Sequence, residues 1–569
     1  MRSIRTFAFL MLLAAPASAP AQQTETKPFP AAQPPHHGHA APSAPSGAWF
    51  DTKGLPPPKL AGNLGDHTYR VSANADAQRF FDQGLIYAYG FNHLEALRAF
   101  RQAQAIDGAC AMCYWGEAYA LGPNLNMPME EAAAPVARQA IAHALARADG
   151  ATPKEQALIA AMRVRYAEGA RADVDRLYAD AAVAVARRFP DDPDIAAFAA
   201  EAIMLLSPWD YWREGGTIGK GRTNEALELL ENVLRTRPAH IGAAHFYIHL
   251  VEASDRPQRA ETYADRLRGA VPGAGHLVHM PGHIYFRLGR YGDAMAVNRD
   301  AVASDESYIA DNPGVGGPYS MMYYPHNVHF YLNSALMLGR GPDAVASAEK
   351  LARLVQAAAG PAPPPVQPIK QSPYFVAAKF ADPAAILAAP QPNAEEPLVV
   401  AAWRYARGAA LALQGDSGGA AREAEAIDAL AKLDYAAFDA ALIPARGILE
   451  IAGGLVRARA ALAAGDLDGA RRHAEAAVAA EARLPYMEPP YWYMPASHAL
   501  GAIHLRRNEP RLALAAFEQA LARTPNSVWA LQGLRRAQLA QGDAQAAQET
   551  QARLDRVAPG VGDLPLERY

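Results

Sequence analysis

The sequence predicts an all-α protein, a solenoid of stacked helix–turn–helix repeats. Three observations predict it. About half of the 569 residues are hydrophobic and Ala recurs throughout; Ala is the best helix former, and no sustained Val/Ile/Thr alternation argues for strands. Ala226, Ala260 and Ala294 stand at 34-residue steps, the period of one helix–turn–helix repeat class. Pro238 and Pro272 close two of these units at the same step, where a helix cannot continue.

Taken in order, the chain opens on an expected export signal over 1–21. Arg2 and Arg5 form a basic start, Phe7 to Ala15 is apolar, and Ala19-Pro20-Ala21 is a small-x-small cleavage site. The apolar run is too short to span a bilayer, so the expected product is periplasmic or secreted, with no membrane span after cleavage. Residues 22–60 read as a Pro-rich disordered linker. Its His36-His37-Gly38-His39 run is taken as tail composition rather than a metal tag. The two cysteines, Cys110 and Cys113, are compatible with a disulfide, free thiols or soft ligands. A bridge at this spacing requires Cys110 to lie just before its helix, and Tyr114 in place of His excludes c-type haem.

Residues 61–360 read as the amino-terminal and central array. Phe80, Gly84, Tyr87, Ala96, Phe100 and Ala103 place small residues where two antiparallel helices approach and aromatic rings where they must be filled. Pro208-Trp209-Asp210-Tyr211-Trp212 interrupts the helices and reads as a loop packed back on the core. After Asp305 comes a Gly/Pro/Tyr-rich insertion at 311–324, and the register resumes at Ala344, displaced by 16 residues. Tyr308, Tyr323 and Tyr324 flank it, so a lid is expected. Residues 361–395 hold a run of prolines and read as a linker or a loop laid across the array. Residues 396–569 read as a second array: Leu500, Gly501, Ala513, Phe517, Ala520 and Pro525 make one unit, and Trp529, Gly533, Ala547 and Pro559 the next.

This order of aromatic, Gly, Tyr, Ala, Phe, Ala and Pro resembles the tetratricopeptide repeat family over residues 77–108, 226–350 and 494–559. The resemblance implies a right-handed superhelix whose first helices line a concave groove that takes a protein or peptide partner. The chain is also similar to an exported bacterial subset sharing Cys110-x2-Cys113-x-Trp115, the His276–His283 run and the Glu488–Trp492 segment. Architecture does not fix function.

Function is expected in the central repeats. His245, His249, His276, His279, His283, His326 and His329 are seven of the 17 histidines. His245 and His279 are 34 apart, as are His249 and His283. With the second-helix Ala as position 20, all seven fall at positions 2, 5 and 9, one stripe of the first helix. Imidazoles on that stripe can converge on a transition metal ion, and an all-imidazole set suits Zn, Cu, Ni or Fe alike. Seven exceed the four ligands of a structural zinc site, so either two ions or one ion with supporting histidines is expected. Duplication copying a neutral His is the competing explanation. Glu252, three residues after His249, points to the same face as a ligand, a general base or a groove-lining acid. Met280, Met321 and Met322 lie close by, although Met is more often packing filler. His498 falls at position 5 of a later repeat.

A net charge of −4 with interspersed signs gives no case for nucleic acid. Phe246 after His245 excludes the HExxH protease helix. Three functions remain: a metal-binding or metal-handling protein, a metal-dependent enzyme using the same site, and a protein-interaction scaffold without metal.

Overall fold

A computed structural model describes residues 48–356 and 360–569. The expected export signal and the His36–His39 run lie outside these residues. The described chain is helical almost throughout; a two-stranded antiparallel pairing of Trp212–Arg213 with Ile218–Gly219 is its one sheet. The fold is a tetratricopeptide-type helical solenoid, as its register predicts. No helix among the described residues is long and apolar enough to cross a membrane.

The repeat turn has a local cause. Gly415, Gly465 and Gly542 follow first helices with φ near +80°, a left-handed conformation that glycine adopts without a Cβ penalty. The next residue, Asp416, Asp466 or Asp543, caps the second helix by accepting a backbone N–H three residues on. Packing repeats as faithfully. A Cβ on Gly84 or Gly116 would stand 2.8 or 2.4 Å from the Phe100 ring, and on Gly501 or Gly533 2.7 or 2.2 Å from the Phe517 ring. Each Phe is thus clasped between the first helices of two successive repeats.

Cys110 is the N-cap of the Ala111–Ala120 helix and is bonded to Cys113. That position satisfies the requirement the spacing imposes. The Pro-rich stretch 361–395, expected as a linker or covering loop, instead forms three short helices, Gln367–Lys370, Ser372–Phe380 and Pro383–Ala388. Each opens with a Pro in its first turn, where the missing N–H has no intrahelical partner to lose, and Phe375 and Val376 are buried. The insertion lengthens two helices, Tyr291–Asp311 and Pro318–Met337, rather than forming a free lid.

The core falls into two clusters. One runs from Phe50 to Tyr323 and the other from Phe286 to Tyr569, so they meet within the central repeats and not at residue 360. The carboxy-terminal repeats return to the central ones. Trp529 Nε1–H donates to Leu336 O at 2.8 Å, and Asn526 Nδ2–H to Gly289 O at 3.1 Å. The histidines lie at the seam between the two clusters.

Candidate metal centre

Three stretches supply the histidines. The Ile241–Val251 helix carries His245 and His249, with Glu252 as its C-cap. The consecutive Gly275–His279 and Pro281–Arg287 helices, joined at Met280 in the helical region, carry His276, His279 and His283. The Pro318–Met337 helix carries His326 and His329. Position 2 of the first of these repeats is Gly242 for a steric reason: a Cβ there would lie 2.3 Å from the Tyr89 ring.

The expected groove is closed. His245, His249, His276, His279 and His283 are at most 1% exposed, and only His326 is half-buried. Tyr323, from the insertion, packs on His276 with ring centroids 4.6 Å apart. Tyr486, from a loop more than two hundred residues downstream, places its hydroxyl 3.1 Å from Glu252 Oε2 and 3.0 Å from Glu488 Oε1. Trp209, 39% exposed, stands edge-on to His249 at 5.0 Å. It has a left-handed φ of 66°, and its Nε1–H donates to Asn126 Oδ1 at 3.1 Å. The aromatic loop expected to pack on the core therefore does so through Tyr211, which is buried, while Trp209 abuts the histidines.

Six of the seven histidines separate into two sets. His245, His249 and His276 bring one ring nitrogen each within 4.8 Å of one another, and so do His279, His283 and His326. Each set rests on its own phenylalanine. Phe91 lies 4.4, 6.0 and 5.3 Å from the first three rings. Phe330 lies 4.8, 4.5 and 5.0 Å from the second three. Phe91 adopts a left-handed φ of 56°, a backbone state that costs a non-Gly residue of order 1–3 kcal/mol and clusters at functional sites.

The hydrogen-bond partners fix the tautomers. His245 Nδ1 faces Tyr89 O at 2.5 Å, His249 Nδ1 faces Glu252 Oε1 at 2.8 Å, and His283 Nδ1 faces Glu252 Oε2 at 2.6 Å. A carbonyl and a carboxylate only accept, so all three Nδ1 atoms carry hydrogen. His279 Nδ1 faces Asn298 Oδ1 at 2.6 Å, and Asn298 Nδ2–H is committed to Ala294 O, which makes a fourth. In the neutral ring each Nε2 is then a bare lone pair. His279 Nε2 and His283 Nε2 face each other at 2.8 Å, and His245 Nε2 faces His276 Nε2 at 3.2 Å. His249 Nε2 and His276 Nδ1 are buried without a partner.

Burial holds His245, His276, His279 and His326 well below the ordinary imidazole range, and neighbouring imidazoles add to the effect. Burial alone would raise the Glu252 carboxyl. The electrostatic pull of the neighbouring His283 and the two Nδ1–H donors outweigh it, so Glu252 is held as a carboxylate well below its usual range. Burial pushes Glu488 up to about 8 against the pull of Arg287. This arrangement, outer carboxylate or carbonyl on Nδ1 and free Nε2, is how proteins orient metal-ligating histidines.

Some expected positions lie elsewhere. His329 Nε2 is bonded to the Tyr493 hydroxyl, which also meets Ser372 Oγ, and burial lowers His329 to about 3; it joins neither set. Glu252 stands behind two imidazoles, so its place is that of an orienting carboxylate rather than of a base reaching a substrate. Met280 is buried in the core, whereas Met321 and Met322 are exposed. His498 lies against Tyr569 in the carboxy-terminal repeats. The residues sequence reasoning missed are Phe91, Phe330, Tyr89, Asn298 and Tyr486, none of which falls on the histidine stripe.

A further group joins His67, Asp194 and His240. Asp194 Oδ1 lies 3.0 Å from His67 Nε2 and 3.3 Å from His240 Nε2, and accepts the Tyr89 hydroxyl at 2.7 Å.

By sequence, residues 504–563 match the tetratricopeptide repeat family. This segment is a tetratricopeptide repeat. No functionally characterised protein matches the chain by sequence. Similar solved structures include the human IFIT1 dimer with m7Gppp-AAAA, at 12% identity over 87% of this chain and 91% of that one with a TM-score of 0.31. Cut9 in the APC/C hetero-tetramer Cut9-Hcn1 is 13% identical over 85% and 88%, with a TM-score of 0.27. The P58(IPK) TPR domain is 12% identical over 61% and 91%, with a TM-score of 0.19.

Proposed function

We propose that this chain is an exported tetratricopeptide-type solenoid that binds transition metal through His245, His249, His276, His279, His283 and His326. One observation supports this above the others. Four buried imidazoles have Nδ1–H committed to acceptors, and the Nε2 lone pairs of His249, His279 and His283 have no donor to receive them. Uncompensated buried polar atoms cost about 1–3 kcal/mol each, and two lone pairs 2.8 Å apart repel. A proton on His283, paired with Glu252, relieves one contact; it does nothing for His249 Nε2. Metal bound in both sets relieves them all.

The donor set is compatible with Zn, Cu, Ni or Fe. Three imidazoles per set leave a coordination position open, the pattern of catalytic rather than structural sites, which supports the enzyme as a second reading. The repeat fold itself supports a protein-interaction scaffold. Export is inferred from the amino-terminal sequence and is supported by the Cys110–Cys113 disulfide, a bond that persists in oxidising compartments.

Metal analysis of the purified chain tests the reading, with His279→Ala combined with His283→Ala beside it. Stoichiometric metal in the wild type and a loss in the variant are expected. Wild-type apoprotein that takes up none of the four metals overturns it.

A further inference from the structure

We infer that the six histidines hold two ions, one per set, as a dinuclear centre whose halves are joined by Glu252; the inference rests on the metal-binding reading of the same residues. Four observations carry it.

The six histidines do not form one group. Nitrogens converge within 4.8 Å inside each set, and the cluster that draws on both sets, His249–Glu252–His283, does so through the carboxylate. The facing pairs, His245–His276 at 3.2 Å and His279–His283 at 2.8 Å, also lie inside their own sets. An ion with bonds of about 2.0–2.1 Å separates its ligand nitrogens by about 3.3–3.6 Å. Each facing pair therefore has to open by less than about 1 Å to seat an ion.

The two sets are adjacent. His249 and His283 have centroids 5.4 Å apart, and His276 and His279 5.7 Å. That proximity suits two-metal sites, whose ions stand about 3.5–4 Å apart.

Glu252 serves both halves with one carboxylate. Oε1 accepts from the first set and Oε2 from the second. An ion on His249 makes its Nδ1–H a stronger donor and draws Glu252 charge away from His283. The two binding events are thereby coupled, and the second is the weaker.

Charge sets what fills the gap. Neutral imidazoles add none, and Glu252 supplies a single negative charge. Two divalent ions would leave a large positive charge buried, which is costly. The centre thus takes monovalent ions, or divalent ions with a small anion such as hydroxide in the open positions between them.

Copper titration of the full chain tests this, with bound metal counted relative to a variant lacking all six histidines, so that the His36–His39 run is subtracted. Two ions are expected in the wild type. One is expected in His245→Ala/His276→Ala, and one in His279→Ala/His326→Ala. Loaded with cupric copper, the wild type is expected to show fewer than two spins by electron paramagnetic resonance, because adjacent ions couple. Each single-set variant is expected to show one full isolated spin. A wild type that saturates at one ion, or that shows two full uncoupled spins, overturns the dinuclear centre and leaves metal binding standing. A wild type that binds none removes both. The wild-type count and spin, after that subtraction, do not depend on either single-set variant folding.

Discussion

The central histidines and the His67–Asp194–His240 group use the same residue types at similar separations, yet their hydrogens are arranged oppositely. His240 is the N-cap of the Ile241–Val251 helix, and its Nδ1 accepts Ala243 N–H at 3.1 Å. Its hydrogen is therefore on Nε2, which stands 3.3 Å from Asp194 Oδ1 outside hydrogen-bond geometry. The Tyr89 hydroxyl and His67 supply Asp194 with further partners. Burial would raise the Asp194 carboxyl, but the two histidines outweigh it and hold it well below its usual range. That group is a carboxylate with two hydrogen-bond donors and a third N–H nearby. In the central sets the acceptors sit behind the rings on Nδ1, and the lone pairs face inward. Distance alone makes both look like metal sites; the proton inventory separates them.

The largest expected effect breaks the comparison most directly. Metal at a hundred times its dissociation constant should stabilise the wild type by about 2.7 kcal/mol, read as a rise in thermal midpoint. His279→Ala with His283→Ala should lose the part of that rise that its own set contributes, whereas His67→Ala with His240→Ala should keep the whole rise from a lower starting point. Equal losses in both pairs would make the two regions equivalent.

Asp194→Asn comes next. It sets an amide against the His67 and Tyr89 donors and should cost about 2–4 kcal/mol in denaturant unfolding, with bound metal per chain unchanged. A loss of metal would show that Asp194 is a ligand. Glu252→Gln sharpens the other side. Its amide can accept from one imidazole but opposes the Nδ1–H of the other. Metal affinity should fall about 10–100-fold, measured by competition with a chelator.

The smallest effect concerns pH. Glu252 and Asp194 have imidazole donors and stay ionised, while Glu488 has the Tyr486 hydroxyl as its hydrogen-bond donor and burial, against the pull of Arg287, raises it to about 8. Burial likewise raises Asp305 and Glu201 to about 7. These folded groups keep protons that the unfolded chain releases near pH 4. The buried histidines act oppositely below about pH 6.5, where the unfolded chain binds protons that they do not, so stability should rise toward about pH 6.5 and then fall as pH rises to about 8. Glu488→Gln should flatten the upper end of that decline in thermal melts of the apoprotein; an unchanged slope would show that Glu488 does not bind the proton.

The sequence by itself determined the repeat and the stripe. A 34-residue step, Gly–Asp turns and Gly facing Phe are local rules of helix geometry, so the solenoid and the shared face of six histidines with Glu252 follow from periodicity. Periodicity also put His329 on that stripe, yet it turns to Tyr493, because the occupant of the next layer is not written in the register. Only the tertiary structure decided that the six rings divide into two sets on Phe91 and Phe330 and that Tyr486 closes the groove. It alone set Tyr89 O and Asn298 behind His245 and His279. The physical reason is range. Helical spacing fixes which side chains share a face, whereas the acceptor behind each ring, and hence where its lone pair points, comes from chain far away in sequence.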